Sequence, residues 1–204
     1  FLRVEPKFFV TRQNSKYLDI RIDYQNLADS IVHYEKSGFK RIEAPWTVTK
    51  EIAHITKPKF LNNLDFELKH NDKLLVASGE QSFLYLYTKD YLPKGKFQTI
   101  TPCFRYENFD AFHKKYFVKN ELINTEEVSA ATLEQIVQTA YIFFKSKLDD
   151  KELRIEEIDS DEPQFDIIYK GVELGSYGIR QCEFLEWIYG TACAEPRLSA
   201  CQKL

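Results

Sequence analysis

Arg105 and Glu107 stand two residues apart in a stretch, residues 97–107, that alternates in the manner of a strand, and a second alternating stretch soon after it carries Phe117 and Glu121. Residues two apart on a strand share a face. Paired as an antiparallel hairpin, the two stretches bring a guanidinium, two carboxylates and an aromatic plane into one small patch. Such a patch can hold a nucleotide, with the guanidinium on a phosphate, the ring against the base and a carboxylate accepting from an exocyclic amine. The same residues can also form an ordinary surface network of Arg–Glu pairs across strands, worth under about 1 kcal/mol per pair. His33, His54 and His70 have no Cys or carboxylate at catalytic spacing and receive no role.

The elements that must position this patch are legible in the hydrophobic pattern. From Asp23, apolar residues at Tyr24, Leu27, Ile31 and Tyr34 recur in steps of three and four, and Ser37-Gly38 supplies a stop, so a helix is predicted. A short segment over 39–46 follows and ends in Ala44-Pro45, which suits a strand end. Strands are predicted over 66–70 and 73–77 with a turn at Asn71-Asp72, then a helix over 79–91 ended by Pro93 and Gly95. In residues 97–107, Thr99, Thr101, Cys103, Arg105 and Glu107 fall on one face, read as the presented polar one, while Ile100, Phe104 and Tyr106 fall on the packed one. Behind Ser129, a fitting N-cap, Leu133, Ile136, Val137, Ala140, Tyr141, Phe144 and Leu148 mark an amphipathic helix. Further strands are predicted over 153–158, 165–169, 172–179 and 184–191, with a short helix from about Ala194. Helices flanking a mostly antiparallel sheet define an α+β domain.

Composition narrows the function classes. The 204 residues carry 28 basic and 31 acidic side chains, net −3, which excludes a basic nucleic-acid clamp. Sixteen Phe, twelve Tyr and two Trp provide for a sizeable core, and one globular domain over residues 1–204 is expected. No apolar run approaches the roughly 20 residues of a membrane-spanning helix, and Phe1 to Lys7 lacks the layout of a secretion signal, so a cytoplasmic chain without membrane partners is the expectation. The four cysteines form no C-x-x-C pair and have no His at zinc-finger spacing; they read as reduced, packed thiols.

The order of these pieces resembles the catalytic core of the class II aminoacyl-tRNA synthetases over residues 24–204. The helix-strand-Pro unit, with Gly38-Phe39 and Ile42-Glu43-Ala44-Pro45, is similar to motif 1 of that family. Phe104-Arg105-Tyr106-Glu107, then His113-Lys-Lys-Tyr-Phe117 with Glu121 beyond, is similar to motif 2. Tyr189-Gly190-Thr-Ala-Cys-Ala194-Glu195-Pro196-Arg197-Leu198 resembles motif 3, although Ala192 and Ala194 stand where glycines are expected and Pro196 precedes the arginine.

The resemblance implies ATP-dependent activation of an amino acid, or a related carboxylate, as an adenylate. It implies Arg105 on the α-phosphate, Glu107 on the adenine amine, Phe117 stacked on adenine, and Arg197 over its other face and on the γ-phosphate. His113, on the loop with Lys114 and Lys115, would approach the phosphates and a tRNA acceptor end; a solvated basic loop is the plainer account. Magnesium would sit on Glu173 and Ser176, which alternation puts on opposite faces unless Gly175 supports a bulge; an ordinary glycine-bearing strand explains the segment equally well. Glu80 would sense the substrate ammonium, or simply be a carboxylate at a helix N-terminus. Glu121, Gln98 and Tyr177 would complete an amino-acid pocket. The family's dimer interface on motif 1 implies a homodimer. With no separate anticodon-binding domain and an acidic balance, help from other chains would be needed for tRNA. Alternatives are a non-catalytic paralogue with a regulatory or scaffolding role, and an adenylate-forming ligase with a non-tRNA acceptor.

Overall fold

The structure, a computed structural model, describes residues 21–56, 65–69, 71–106, 112–160 and 162–204. Helix α1 (Tyr24–Lys36) begins where Asp23 accepts from the backbone N–H groups of Gln25 and Asn26, and ends at Gly38, whose φ of 88° suits glycine. Its buried stripe is Asn26, Leu27, Ser30 and Tyr34, and Tyr24 lies outside it. The stripe is turned relative to the apolar pattern because two of its members are polar residues with buried partners: Asn26 donates to Glu195, and Ser30 accepts from Asn120.

After β1 (Lys40–Arg41), the strand β2 (Thr47–Thr49) pairs antiparallel with β3 (Lys73–Leu75), and helix α2 (Lys50–Ile55) follows β2. Of the strand expected over 66–70, the described part contributes a single antiparallel bridge, Glu67 to Leu74; His70 lies outside the described residues. Helix α3 (Gly79–Tyr87) starts at the N-cap Ser78 and stops at Thr88, short of the expected 91, because the chain turns at Asp90 with φ 58°.

The main sheet has seven strands in the order β1-β4-β5-β9-β8-β7-β6. Its members beyond β1 are β4 (Lys96–Phe104), β5 (Tyr116–Asn124), β6 (Leu153–Glu157), β7 (Gln164–Tyr169), β8 (Val172–Cys182) and β9 (Leu185–Glu195). β1 runs parallel to β4, and every other pairing is antiparallel. Helix α4 (Ala130–Lys145), capped by Ser129, joins α1 on one face of the sheet. There Tyr34, Leu122, Leu133, Val137, Phe144 and Tyr177 form the larger core. On the opposite face α2, α3 and the β2–β3 pair close a second core around Val48, Phe83, Leu84, Phe97 and Trp187. Helix α5 (Arg197–Cys201) follows β9 directly, slightly later than the expected start at Ala194. All four cysteines are free thiols, with Cys103, Cys193 and Cys201 buried. No helix among the described residues is long and apolar enough to cross a membrane.

One expectation is corrected. The face of β4 carrying Thr99, Thr101 and Cys103 is not presented to solvent, since Thr101 and Cys103 are 0% exposed. The start of α3 lies directly on it, clamped by the buried carboxylate of Glu121 on β5. Glu121 Oε1 accepts from Ser78 Oγ (2.6 Å) and Lys119 Nζ (2.6 Å), and Oε2 accepts from the Gly79 backbone N–H. Burial raises the Glu121 carboxyl, but the Lys119 ammonium, the hydrogen bonds from Lys119 and Ser78, and Arg105 outweigh it and hold the group below its ordinary 4.5.

Two outcomes follow from this clamp. Alanine in place of glycine in a helix normally stabilises by up to about 1 kcal/mol. A Cβ at Gly79 would lie 2.9 Å from both Glu121 Oε2 and Thr101 Oγ1, so Gly79→Ala is instead expected to cost about 1–3 kcal/mol in denaturant melts. A carboxyl held low in the folded state contributes stability that is complete above its ordinary value and is lost as pH falls through the lowered one. At neutral pH, Glu121→Gln strands a buried ammonium and is expected to cost about 3–5 kcal/mol. The gap between it and the parent protein should close as the pH is taken below 4.5; a gap that does not change with pH would show that Glu121 is not ionised in the folded chain.

Candidate functional site

A cavity of about 380 Å³ opens on the sheet face that α3 leaves uncovered. β5 brings Phe117, Lys119 and Glu121 to it by simple alternation, and the end of β4 brings Arg105. The neighbouring strands reach it through irregularities. On β8 the register to β7 slips so that Ile167 faces Gly175 and Ile168 faces Glu173, leaving Leu174 as an extra residue. This bulge puts Glu173 and Ser176, three apart, on the cavity side while Leu174 and Tyr177 enter the core. On β9 a second slip, opposite Asn120 and Glu121, leaves Ala192 over and turns both Thr191 and Ala194 toward the cavity.

At one end of the cavity the Arg105 guanidinium lies over the Phe117 ring, 5.3 Å from its centroid, and donates from Nε to the Ala77 carbonyl (3.0 Å). Arg197, at the start of α5 just after the cis Glu195–Pro196 bond, donates from Nη1 to the Glu173 carbonyl (3.0 Å) and meets the Glu173 carboxylate at 3.3 Å. Two cations from distant parts of the chain therefore line the same cavity as the Phe117 ring. His113 is not on the main cavity; it lines a narrow adjoining cleft with Lys114, Phe117, Pro196 and Arg197.

At the other end the groups are paired and deep. Glu80, 4% exposed, accepts from Arg180 Nη1 at Oε2 (2.6 Å) and from Trp187 Nε1 at Oε1 (2.7 Å). Burial outweighs Arg180 and Trp187 here and leaves the Glu80 carboxyl above its ordinary value. Arg180 stacks on the Tyr189 ring, its Cζ 4.0 Å from the centroid. Burial works against its charge, yet Glu80 and Tyr189 push its pKa up, so it stays a cation. Cys103, beneath Glu121, is pushed up to about 12 by burial and then by that carboxylate, and is inert as a nucleophile.

Of the residues expected at a site, Arg105, Phe117, Arg197, Glu80, Glu121, Glu173 and Ser176 line this cavity. Gln98 and Tyr177 do not, and the reason is strand parity. Gln98 lies on the face of β4 opposite Thr99, where it donates to the Ile31 and Phe39 carbonyls and accepts from Asn120. Tyr177, shifted by the bulge, sits in the core and donates to the Thr191 carbonyl. Glu107 lies outside the described residues. Sequence reasoning gave no site role to Ser78, Lys119, Arg180 or Trp187, although alternation puts Lys119 on one face with Phe117 and Glu121; Arg180 was readable as the continuation of Ser176 and Gly178 along one face. Nothing local marks Trp187, whose partner is 107 residues away in sequence. Among the described residues no three His, Cys, Asp or Glu gather as a metal cage. Glu173, with its side chain 47% exposed, and Ser176 are hard oxygen donors facing the same space. A magnesium ion that takes its remaining ligands from phosphates and water fits such a pair.

No family model matches the sequence, and no curated protein matches it either. Solved structures do match in shape. Seryl-tRNA synthetase from Pyrococcus horikoshii, complexed with ATP, superimposes with a TM-score of 0.69 at 16% identity over 84% of this chain and 48% of that one. A pyrrolysyl-tRNA synthetase from Desulfitobacterium hafniense gives 0.70 at 17% identity over 94% and 73%. The cytoplasmic serine-tRNA ligase from Naegleria fowleri, in complex with AMP, gives 0.67 at 18% over 86% and 52%. The chain spans about half the length of the two seryl enzymes. Strand order, flanking helices and these superpositions agree: the chain has the fold of the class II aminoacyl-tRNA synthetase catalytic core.

Proposed function

We propose that the cavity binds ATP and an amino acid, or a related carboxylate, and joins them as an acyl adenylate. The observation that carries this reading is the convergence of Arg105 and Arg197 around Phe117. The substrate carboxylate oxygen attacks the α-phosphorus, the bond from that phosphorus to the bridging oxygen breaks, and pyrophosphate leaves. The nucleophile is already an anion, so no general base is required. What the protein must supply is alignment and fixed positive charge where charge develops.

In this reading Arg105 holds the α-phosphate and is itself oriented by the Ala77 carbonyl and the Phe117 ring. Phe117 is the adenine platform, and Glu107 accepts from the adenine amine. Arg197, steered by Glu173, covers the other face of the base and reaches the γ-phosphate, with His113 beside it on the phosphate side. Glu173 and Ser176 hold magnesium, which when bound neutralises phosphate charge. The amino acid occupies the end lined by Glu80 and Glu121. The acceptor is tRNA, engaged with help from other chains, or another nucleophile. The protein acts in the cytoplasm as a homodimer through α1, which leaves Tyr24 and Val32 exposed; a clean monomer in light scattering at micromolar concentration would refute the dimer.

A non-catalytic relative that keeps the fold is the second reading. It is favoured by Glu80, whose two oxygens are already taken by Arg180 and Trp187. ATP–pyrophosphate exchange with magnesium, screened over the standard amino acids, separates the two. Exchange that falls about 10²–10³-fold in Arg105→Ala, with the melting temperature nearly kept, supports adenylation. Absence of exchange from folded protein that still binds ATP supports the second reading. Phe117→Ala is expected to weaken ATP binding by about 1–3 kcal/mol in a calorimetric titration, and an unchanged affinity would remove Phe117 as the platform.

A further inference from the structure

We infer that the substrate is an amino acid whose side chain ends in a carboxylate, received at the deep end of the cavity by Arg180 and Lys119. The inference rests on the adenylation reading for the reaction, but the subsite itself is argued from the pairing of the buried charges. Both carboxylates at that end already accept from the protein on each oxygen. Glu121 takes donors from Ser78, Gly79 and Lys119, and Glu80 takes donors from Arg180 and Trp187. Each is only 4–5% exposed.

The cations opposite them are not spent. A guanidinium carries five N–H donors and an ammonium three. Arg180 commits one nitrogen to Glu80, and Lys119 gives one bond to Glu121. The Arg180 side chain is 38% exposed and lines the cavity; the Lys119 side chain, 9% exposed, also lines it. Residues 78–80 tie the two pairs together, since Ser78 binds the Glu121 carboxylate and Glu80 is two positions on.

Arg180 is also held as a platform. Its Cζ lies 4.0 Å from the Tyr189 centroid, and that ring occupies the space over Gly178, where a Cβ would meet Tyr189 Oη at 2.8 Å. Glu80, itself held by Trp187, fixes one Arg180 nitrogen, and the side chain lines the cavity. A fork of donors with its own counter-charge already buried is suited to an incoming carboxylate, which it can bind through two parallel bonds. An apolar side chain would strand those donors, and a cationic one would meet two like charges.

Pyrophosphate exchange with aspartate, glutamate, asparagine and glutamine is the direct test. One of the acids is expected to exceed its own amide by at least about 100-fold in kcat/KM. Arg180→Lys keeps a charge beside Glu80, and with it the fold, but removes the planar fork. It is expected to reduce the acid-over-amide ratio about tenfold or more while the KM for ATP stays within about twofold. Exchange supported as well by a neutral or basic amino acid as by either acid would overturn the inference and leave adenylation standing. If no amino acid supports exchange, adenylation fails, and calorimetric titration of aspartate and glutamate without ATP reads the subsite alone. Saturable binding of one acid, absent for its amide and weakened in Arg180→Lys, upholds the subsite; no binding of either acid at millimolar concentration overturns it.

Discussion

A buried, ionised carboxylate must be surrounded by donors, and Glu121 obtains its donors from three different places in the chain. The Lys119 ammonium comes from the same strand, the Ser78 hydroxyl from the turn before α3, and the Gly79 N–H from the first turn of that helix. Satisfying Glu121 therefore docks α3 on the sheet at one height. Only glycine fits at position 79 at that height, because Thr99, Thr101 and Glu121 fill the space where a side chain would be. The next residue, Glu80, is carried over β9 and β8 and meets Trp187 and Arg180. One charge on β5 thus sets the position of a second charge two strands away, and the cavity between them inherits its shape from that chain of contacts.

The two bulges solve a different problem. A regular strand presents every second residue, and β8 and β9 each need side chains three apart on the same side. The extra residues Leu174 and Ala192 shift the phase once on each strand and themselves turn into the core. Without them Glu173 and Ala194 would turn toward the α1–α4 core, and Arg197, which is held by the Glu173 carbonyl and carboxylate, would lose its steering.

Most of the architecture was legible because it rests on local rules. Asp23 and Ser129 cap helices as their types suggest, Gly38 ends α1 at positive φ, and the alternation over 97–104 and 117–121 does form a hairpin. The bulge that would reconcile Glu173 with Ser176 could be anticipated from Gly175, although the extra residue is Leu174. What was not legible depends on contacts made across the fold. Thr99 and Thr101 look like surface residues until α3 is laid over them. Gln98 looks like a pocket residue until its amide is found holding the Ile31 and Phe39 carbonyls behind the sheet. Glu80 looks available to a ligand until Arg180 and Trp187 arrive from 100 and 107 residues away. A sequence states which groups need partners, but only the packed structure shows which have already found them.

The same distinction decides how the departures in the last motif should be weighed. Ala192 and Ala194 stand where the resemblance leads one to expect glycines, yet their methyl groups go to different places. Ala192 is the bulged residue, fully buried in the core with Leu133 and Tyr177, so its methyl is absorbed by packing on the far side of the sheet and takes nothing from the cavity. Ala194 lies on the cavity side, where it lines both the cavity and the adjoining cleft together with Phe117 and Arg197. In the proposed reading, any cost of the two alanines to nucleotide binding therefore falls at Ala194. The deep end of the cavity, built from β5, α3, β8 and Tyr189, is untouched by it.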